Sequence, residues 1–213
     1  MSNTNPFLDP EMAAGYEGWY ETVGRRAGRL EKALLRKALA RFPRARSLLE
    51  VGCGTGHFTR WFAAQNLQAV GLDVSAPMLA QAAARDSEPY VMADALALPF
   101  PECSIDLVAF VTTLEFVSEA QAALQEAARV ARLGLILGVL NKHSLLGWRY
   151  KRSGLLLWQQ ANFFSVGELQ ELLHRALPER PFFLFWRTTL WPLWPGDLPL
   201  PWGGFIVMAT RFS

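Results

Sequence analysis

Apolar residues in the middle of the chain form short runs, and segments with helical spacing separate these runs. The runs have the length of buried strands and lie at residues 48–51, 68–72, 90–93, 107–111 and 133–140. The segments between them repeat their apolar residues at helical spacing and lie at residues 57–64, 78–85 and 119–131. Strands that alternate with helices predict βα units and an open parallel sheet.

Two further patterns flank this alternation. Residues 11–42 have helical spacing, and Pro43 is expected to end that helix because proline removes a backbone donor. Residues 182–190 and 204–212 are apolar and aromatic, and a loop rich in Pro and Trp joins them. These two segments predict a pair of final strands with no helix between them.

The first predicted strand runs directly into a glycine-rich loop. Residues 48–56 read Leu-Leu-Glu-Val-Gly-Cys-Gly-Thr-Gly, so that Glu50 precedes Gly52, Gly54 and Gly56. A dinucleotide fold has the pattern G-x-G-x-x-G, and a phosphate-binding loop ends in Gly-Lys-Ser/Thr. This loop has neither pattern, and the Glu50 carboxylate would repel a diphosphate. The loop therefore predicts a ligand without a pyrophosphate.

The acidic-x-Gly-x-Gly-x-Gly pattern resembles motif I of the class I S-adenosylmethionine-dependent methyltransferases. Asp73, which closes the second predicted strand, and Ala93-Asp94-Ala95 with the segment that follows it also match that family. The aromatic cluster Tyr16-x-x-Trp19-Tyr20 resembles the lid of its type 11, ubiquinone/menaquinone-biosynthesis-like small-molecule branch. The resemblance extends from about Tyr16 to Asn141.

The resemblance implies a fold and a reaction. The expected fold is α/β: a Rossmann-like, seven-stranded, mostly parallel sheet with helices on both faces and an antiparallel last strand. Residues 1–213 would form a single domain, with a helical lid at 1–45, a cofactor-binding core at 46–140, and a substrate-side insertion with the final strands at 141–213. The expected reaction moves a methyl group from S-adenosyl-L-methionine to a small, partly apolar acceptor and leaves S-adenosyl-L-homocysteine.

Asp73 is the central residue of the expected cofactor site. It follows the glycine loop by about 20 residues, where α/β folds place a carboxylate that accepts both ribose hydroxyls. Val74 and Met78 would then flank the adenine, and the resemblance assigns the adenine amino group to Asp94. The complete expected cofactor set is Tyr16, Glu50, Gly52, Cys53, Gly54, Gly56, Asp73, Val74, Met78, Asp94, Ala95, Leu96 and Thr112.

Three residues are candidates for catalysis. A sulfonium donor is already activated, so the protein has to align the acceptor and exclude water. A general base is needed only if the acceptor loses a proton. Glu115, at the tip of the fourth predicted strand, His143 and Tyr20 are the candidates by predicted position. A solvent-facing acid is the alternative for Glu115, and a structural role is the alternative for His143.

Composition and charge indicate which kinds of binding partner to expect for the chain. A formal charge of +2 is too small to indicate nucleic acid by itself. Residues 25–46 contain nine basic residues and one acid, which favours a solvated helix face over a patch for RNA or anionic membrane. Cys53 and Cys103 have no metal-ligand spacing. The chain has neither a membrane-length apolar run nor a signal-peptide pattern, so a cytoplasmic location is expected.

Two other functions stay open at this point. Many family members carry a histidine near the position of Glu115, and its absence here allows a protein that binds the cofactor without turnover. An RNA methyltransferase is disfavoured, since no Asn-Pro-Pro-Tyr or Asp-Pro-Pro-Tyr follows the fourth strand. Six of the eight tryptophans lie between Trp148 and Trp202, which fits an acceptor pocket, a membrane-facing surface, or core and subunit interface.

Overall fold

A seven-stranded sheet forms the centre of the molecule in the computed structural model, which describes residues 6–22, 24–192 and 194–213. The strands in chain order are β1 (Ser47–Val51), β2 (Gln68–Asp73), β3 (Tyr90–Met92), β4 (Ile105–Val111), β5 (Ala131–Leu140), β6 (Phe182–Thr189) and β7 (Phe205–Phe212). Their order in the sheet is β3-β2-β1-β4-β5-β7-β6.

The strands from β1 to β5 pair in parallel, and β7 is antiparallel to both of its neighbours, β5 and β6. This arrangement confirms the predicted α/β fold with its antiparallel last strand. The chain order reverses across the β1–β4 boundary, because β2 lies on one side of β1 and β4 on the other. Open α/β sheets bind their ligands at such a point, beyond the carboxyl ends of the strands.

Helices cover both faces of the sheet. They are α1 (Pro10–Glu21), α2 (Arg25–Leu39), α3 (His57–Ala63), α4 (Ala76–Ala83), α5 (Ala120–Val130), α6 (Leu145–Lys151), α7 (Leu156–Gln160) and α8 (Val166–Ala176). Buried side chains of α5 and α8 form one hydrophobic cluster with the sheet, and those of α2 and α3 form the other. None of the described helices is both long and apolar enough to cross a lipid bilayer.

The single helix predicted over residues 11–42 is two helices in the structure. The chain turns at Gly24, whose N–H donates to the carbonyl of Trp19 at 2.7 Å. A Cβ at this position would overlap the ring of Trp19, so the turn requires glycine. Helix α2 is amphipathic as predicted, with Leu34 buried and Arg29 exposed, but it ends at Leu39, before the proline.

Candidate functional site

A cavity of about 320 Å³ lies where the carboxyl ends of β1, β2 and β4 meet. Its volume falls within the range of roughly 300–1,000 Å³ that is typical of small-molecule sites. The glycine loop, the tips of β2 and β4, and the N-terminal segment each supply part of its wall. All the residues of the expected cofactor set line this cavity except Gly56.

The glycine loop is held between two strand tips. Gly52 has a φ of +71°, and its N–H donates to the carbonyl of Leu72 at 2.7 Å. A Cβ on Gly52 would overlap the side chain of Thr113, whose hydroxyl donates to the carbonyl of Gly52 at 3.0 Å. A Cβ on Gly54 would meet no atom closer than 3.9 Å, so its backbone is open toward the cavity.

Gly56 packs closely against Tyr90 and does not line the cavity. Its φ is +77°, and it precedes the first residue of α3. A Cβ there would overlap the hydroxyl of Tyr90 on β3. The turn therefore requires glycine at position 56, and contact of Gly56 with a cofactor stays a prediction.

Asp73 joins the tip of β2 to the glycine loop. Its Oδ2 accepts the N–H of Gly54 at 2.8 Å, and its Oδ1 accepts the N–H of Ser75 at 2.8 Å. Burial raises the pKa of this carboxyl, whereas the backbone donors act to lower it. Each carboxylate oxygen can accept more than one hydrogen bond, so the pair of oxygens can still receive a cis-diol from the cavity.

The expected adenine side of the site is assembled beside Asp73. Val74 is exposed and Met78 is buried, and both line the cavity. Asp94 is exposed, and its Oδ1 accepts the N–H of Leu96 at 2.9 Å, which is the local turn geometry expected of an Asp in a loop. Ala95 and Leu96 complete this part of the wall.

The floor of the cavity contains a buried carboxyl and a buried thiol. Glu50, at the end of β1, accepts a hydrogen bond from the hydroxyl of Thr59. Burial raises the pKa of Glu50 to about 8, against the lowering effect of that hydrogen bond. Burial also raises the pKa of the Cys53 thiol, so it stays neutral. Thr112, with a φ of +53°, lies at the tip of β4 and also lines the cavity.

Aromatic side chains from the N-terminal segment form another wall. Phe7, Tyr16 and Tyr20 line the cavity together with the tips of β1, β2 and β4, which come much later in the sequence. The ring of Tyr20 stacks on His57 with a centroid distance of 3.8 Å and an interplanar angle of 12°. The rings of Phe7 and Tyr16 meet edge-on at 6.2 Å. Burial raises the pKa of Tyr20, so its hydroxyl stays protonated.

Glu17 fastens α1 to the helix after the glycine loop. Its Oε2 accepts the hydroxyl of Thr55 at 2.6 Å, and its Oε1 lies 2.8 Å from Nδ1 of His57 and 2.7 Å from a guanidinium nitrogen of Arg60. Burial alone would raise the pKa of Glu17, but the bonds from His57 and Thr55 with the nearby cations lower it to about 2. No local sequence pattern predicts this cluster, because the three partners of Glu17 lie 38 to 43 residues from it in the chain.

Of the three catalytic candidates, the structure places only Tyr20 at the cavity. Glu115 is buried and does not line the cavity, and its Oε1 accepts the N–H of Leu140 on β5 at 2.6 Å. His143 is exposed before α6, and its N–H donates to Oδ1 of Asn141 at 3.0 Å. Neither Glu115 nor His143 is among the residues that line the cavity, and their catalytic roles stay predictions.

Several lining residues were not predicted. They include Phe7, His57, Phe58, Thr113, Phe116 and Val117. His57 directly follows the glycine loop, and Phe116 follows the tip of the fourth strand. The positions of these two residues in the sequence could therefore have indicated that they line the cavity. Phe7 offered none, because only the tertiary fold brings the start of the chain to β4. Across the described part of the chain, no three His, Cys, Asp or Glu residues are grouped so that they could hold a metal ion.

Comparison with known proteins gives matches to methyltransferases. Residues 49–137 match a family model described as a methyltransferase domain. A demethylmenaquinone methyltransferase from Roseiflexus sp. is 37% identical over 155 residues, which are 68% of this chain and 59% of that protein. A malonyl-[acyl-carrier protein] O-methyltransferase from Enterobacter lignolyticus is 34% identical over 102 residues, which are 46% of this chain and 41% of that protein. The chain thus spans less than two thirds of either relative.

A solved structure matches nearly the whole chain. It is an S-adenosylmethionine-dependent methyltransferase from Thermotoga maritima, described as a possible histamine N-methyltransferase. The two chains are 26% identical with a TM-score of 0.79, and the match covers 97% of this chain and 99% of that one. The matches confirm the resemblance that was drawn from the motifs.

Proposed function

We propose that this chain, which carries a class I S-adenosylmethionine-dependent methyltransferase domain, transfers a methyl group from S-adenosylmethionine to a small, partly apolar acceptor. One observation carries the proposal. The Asp73 carboxylate and the open backbone of Gly54 are joined by a 2.8 Å hydrogen bond in the wall of one cavity. The carboxylate can accept hydrogen bonds from the ribose hydroxyls of a nucleoside. The unhindered loop backbone beside it leaves room for the amino-acid part of the same ligand.

The lining residues fit the parts of that donor. Asp73 would accept the ribose hydroxyls, and Val74 and Met78 would pack against the adenine. Asp94 would accept the adenine amino group. The loop backbone, with the Glu50 carboxyl below it, would hold the methionine end. A bound ammonium group near Glu50 would favour its ionised form, against the burial that raises its pKa to about 8.

The N-terminal segment would act as a lid over the reacting atoms. Phe7, Tyr16 and Tyr20 give that side of the cavity an aromatic surface that excludes water. The Glu17 cluster holds this surface against α3. The hydroxyl of Tyr20 remains protonated. It would therefore donate a hydrogen bond to the methyl-accepting substrate rather than remove a proton from that substrate. The methyl donor supplies the electrophile, so the chain has only to position the acceptor.

Calorimetric titration of S-adenosylmethionine tests the cofactor site. We expect the wild-type chain to bind, and Asp73→Asn to weaken binding by about tenfold or more, because hydrogen bonds to a charged group contribute roughly 1.5–3 kcal/mol. Asp197→Asn is the matched control, since Asp197 forms an ion pair with Lys37 away from the cavity. A wild-type chain that binds no S-adenosylmethionine would refute the proposal.

Turnover is tested with a methyl-labelled donor and a panel of acceptors. The relatives' names suggest a demethylated quinol, a malonyl thioester and histamine as members of the panel. We expect label to appear in a small molecule together with release of S-adenosylhomocysteine. Label in RNA would contradict the small-molecule proposal. Binding of S-adenosylmethionine with no release of S-adenosylhomocysteine in any cell extract would indicate a binding protein instead.

A further inference from the structure

Large apolar side chains are exposed together in two neighbouring segments of the chain. Twelve large apolar side chains are exposed in the described part of the chain, and seven of them lie within residues 145–156 and 194–202. Trp148 is 52% exposed, Leu155 is 59% exposed and Leu156 is 61% exposed. Exposed apolar groups that gather in this way mark an interaction surface.

The exposed residues of α6 lie along one side of that helix. Four of them follow one another at intervals of three and four residues, which places them on the same helix face: Leu145, Trp148, Arg149 and Arg152. On another side of α6, Tyr150 stacks on Trp158 of α7 with a centroid distance of 4.5 Å. Leu155 and Leu156 are exposed where α7 begins. We call the six exposed residues, Leu145, Trp148, Arg149, Arg152, Leu155 and Leu156, the α6–α7 surface.

The α6–α7 surface is basic. Residues 141–163 contain four Lys or Arg residues and no Asp or Glu. Arg149 and Arg152 form no ion pair with any residue that the structure describes. The guanidinium carbon of Arg152 lies 4.6 Å from the centre of the Trp148 ring, so a free cation lies directly beside an exposed apolar ring. Such a surface is complementary to a layer with anionic groups outside and apolar groups inside.

Helix α2 adds exposed cations on the same side of the sheet. Leu34 of α2 and Tyr150 of α6 belong to one hydrophobic cluster, so both helices cover the same sheet face. The only acid of α2, Glu31, is buried. Five basic side chains of this helix are exposed: Arg25, Arg26, Arg29, Arg36 and Lys37. The sequence alone favours a solvated face for α2, and the exposed tryptophan and leucines on the same side of the sheet give its cations a lipid counterpart.

We propose that the α6–α7 surface docks on an anionic lipid bilayer. Trp148, Leu155 and Leu156 would enter the boundary between head groups and acyl chains, where tryptophan is enriched and leucine buries apolar area. Arg149 and Arg152 would lie at the head groups, where each cation is attracted to anionic lipid. The inference goes beyond the proposed methyl transfer and does not depend on it.

Other occupants fit this surface less well. In a symmetric dimer the surface would meet its own copy, so Arg149 and Arg152 would approach the same arginines of the second chain. Single-stranded RNA could pair with the arginines and stack on Trp148, but it would leave Leu155 and Leu156 exposed. An anionic bilayer accommodates the cations and the leucines together.

The α6–α7 surface is close to the cavity. Trp158 of α7 lies 6.2 Å from Phe116, which lines the cavity. The N–H of Asn162, just after α7, donates to the carbonyl of Glu115 at 2.7 Å, so this part of the chain is bonded to the turn that carries Phe116. Taken with the proposed methyl transfer, docking would hold the cavity near apolar acceptors that are dissolved in the bilayer.

Co-sedimentation with lipid vesicles tests the docking. The full chain is mixed with vesicles of phosphatidylcholine alone, or with vesicles of equal parts phosphatidylcholine and phosphatidylglycerol. We expect partition to the anionic vesicles to be tighter by about tenfold or more, because the exposed cations are attracted to anionic head groups. The difference should shrink at high salt, which screens this attraction.

Matched variants locate the contact. Leu156→Ser and Arg152→Gln should each weaken partition to the anionic vesicles by about threefold or more, because one removes an inserted side chain and the other a cation. Met92→Ser and Arg85→Gln are the controls, since Met92 is 65% exposed on the edge strand β3 and Arg85 is exposed after α4. Both controls should leave partition unchanged.

The outcomes separate this inference from the proposed function. Partition to neither kind of vesicle, equal partition to both, or equal effects of the control and surface variants would overturn the docking. A dimer that Leu156→Ser dissociates, or binding to RNA, in a chain that binds no vesicles would overturn it too. Each of these results leaves methyl transfer intact, whereas a chain that binds vesicles but no S-adenosylmethionine contradicts only the proposed function. If a variant does not fold, as circular dichroism would show, the comparison of the two kinds of vesicle on the wild type still decides.

Discussion

Gly52 combines two requirements that normally fall on different residues. Its φ of +71° needs a residue without a Cβ penalty, and its neighbour Thr113 occupies the volume that a Cβ would fill. The N–H of Gly52 donates to β2, and its carbonyl accepts the hydroxyl of Thr113, two residues after the end of β4. One residue therefore sets the spacing of the strand tips that form the cavity.

The substitution Gly52→Ala should accordingly damage both stability and binding. We expect a loss of about 1–3 kcal/mol from the unfavourable backbone angle, with an additional loss from the overlap with Thr113. Urea unfolding and titration of S-adenosylmethionine measure the two effects. Gly18→Ala on α1 is the control: the added Cβ meets nothing within 4 Å, and the helix should gain roughly 0.5–1 kcal/mol. Tight binding by Gly52→Ala would disprove the role given to this loop.

At the scale of elements, α1 is attached to α3 by the polar contacts of Glu17 and by the ring of Tyr20, which packs on His57 and Phe58. The substitution Glu17→Gln keeps the size of the side chain but removes the charge that faces His57 and Arg60. We expect α1 to open more often, so that amide exchange of residues 10–21 rises and S-adenosylmethionine binds several-fold more weakly. The core should stay folded, since α1 contributes only Ala13 to the buried apolar residues.

A variant on the same helix provides the control for Glu17. Glu21→Gln also removes one negative charge from α1, but Glu21 is exposed at the end of the helix. It should leave amide exchange and cofactor binding unchanged. Equal effects of the two substitutions would show that helix charge, rather than the contact with α3, controls the position of α1.

The elements that the sequence predicted correctly are those that local patterns determine. The strands from β1 to β7 and the turn before α3 follow from apolar runs and from glycines adjacent to them. The division of the N-terminal helix at Gly24 was missed, because residues on both sides of Gly24 have helical spacing. What requires glycine there is the ring of Trp19, which folds back over the turn.

The candidate site was predictable to a similar extent. Asp73 and Gly54 could be placed because each directly follows or precedes a strand end, and strand ends meet at one edge of a parallel sheet. The direction of the Glu115 side chain could not be predicted, since it depends on the turn at Leu114–Phe116. The Glu17 cluster could not be predicted either, because no local pattern indicates contacts between α1 and α3.

At the scale of the whole molecule, buried carboxyls link stability to pH. Burial raises the pKa of Glu31 to about 7 and that of Glu50 and Glu115 to about 8, from an ordinary value of 4.5. The folded state therefore holds protons that the unfolded chain releases above pH 4.5. Each group's contribution to stability is complete below that pH and is lost progressively up to its folded pKa.

Other groups act in different pH ranges or in the opposite direction. Hydrogen bonds and cations hold the pKa of Glu17 and Glu168 at about 2 although burial acts to raise both, so their contribution to stability is lost only as the pH falls below about 4.5. Burial lowers the pKa of His57, so this residue adds stability as the pH rises toward 6.5. Between pH 5 and 8, the carboxyls of Glu31, Glu50 and Glu115 thus oppose His57.

The ligand-free chain should therefore lose stability as the pH rises from 5.5 to 8. One such carboxyl changes the free energy of unfolding by at most about 1.4 kcal/mol for each pH unit. Urea unfolding at several pH values measures this slope. Glu115→Gln removes one ionising group and should make the slope shallower, whereas Glu171→Gln, an exposed change, should leave it unaltered. A free energy of unfolding that rises over this interval in the wild type would mean that these carboxyls are ionised in the folded protein, each with a counter-ion or a hydrogen-bonding water.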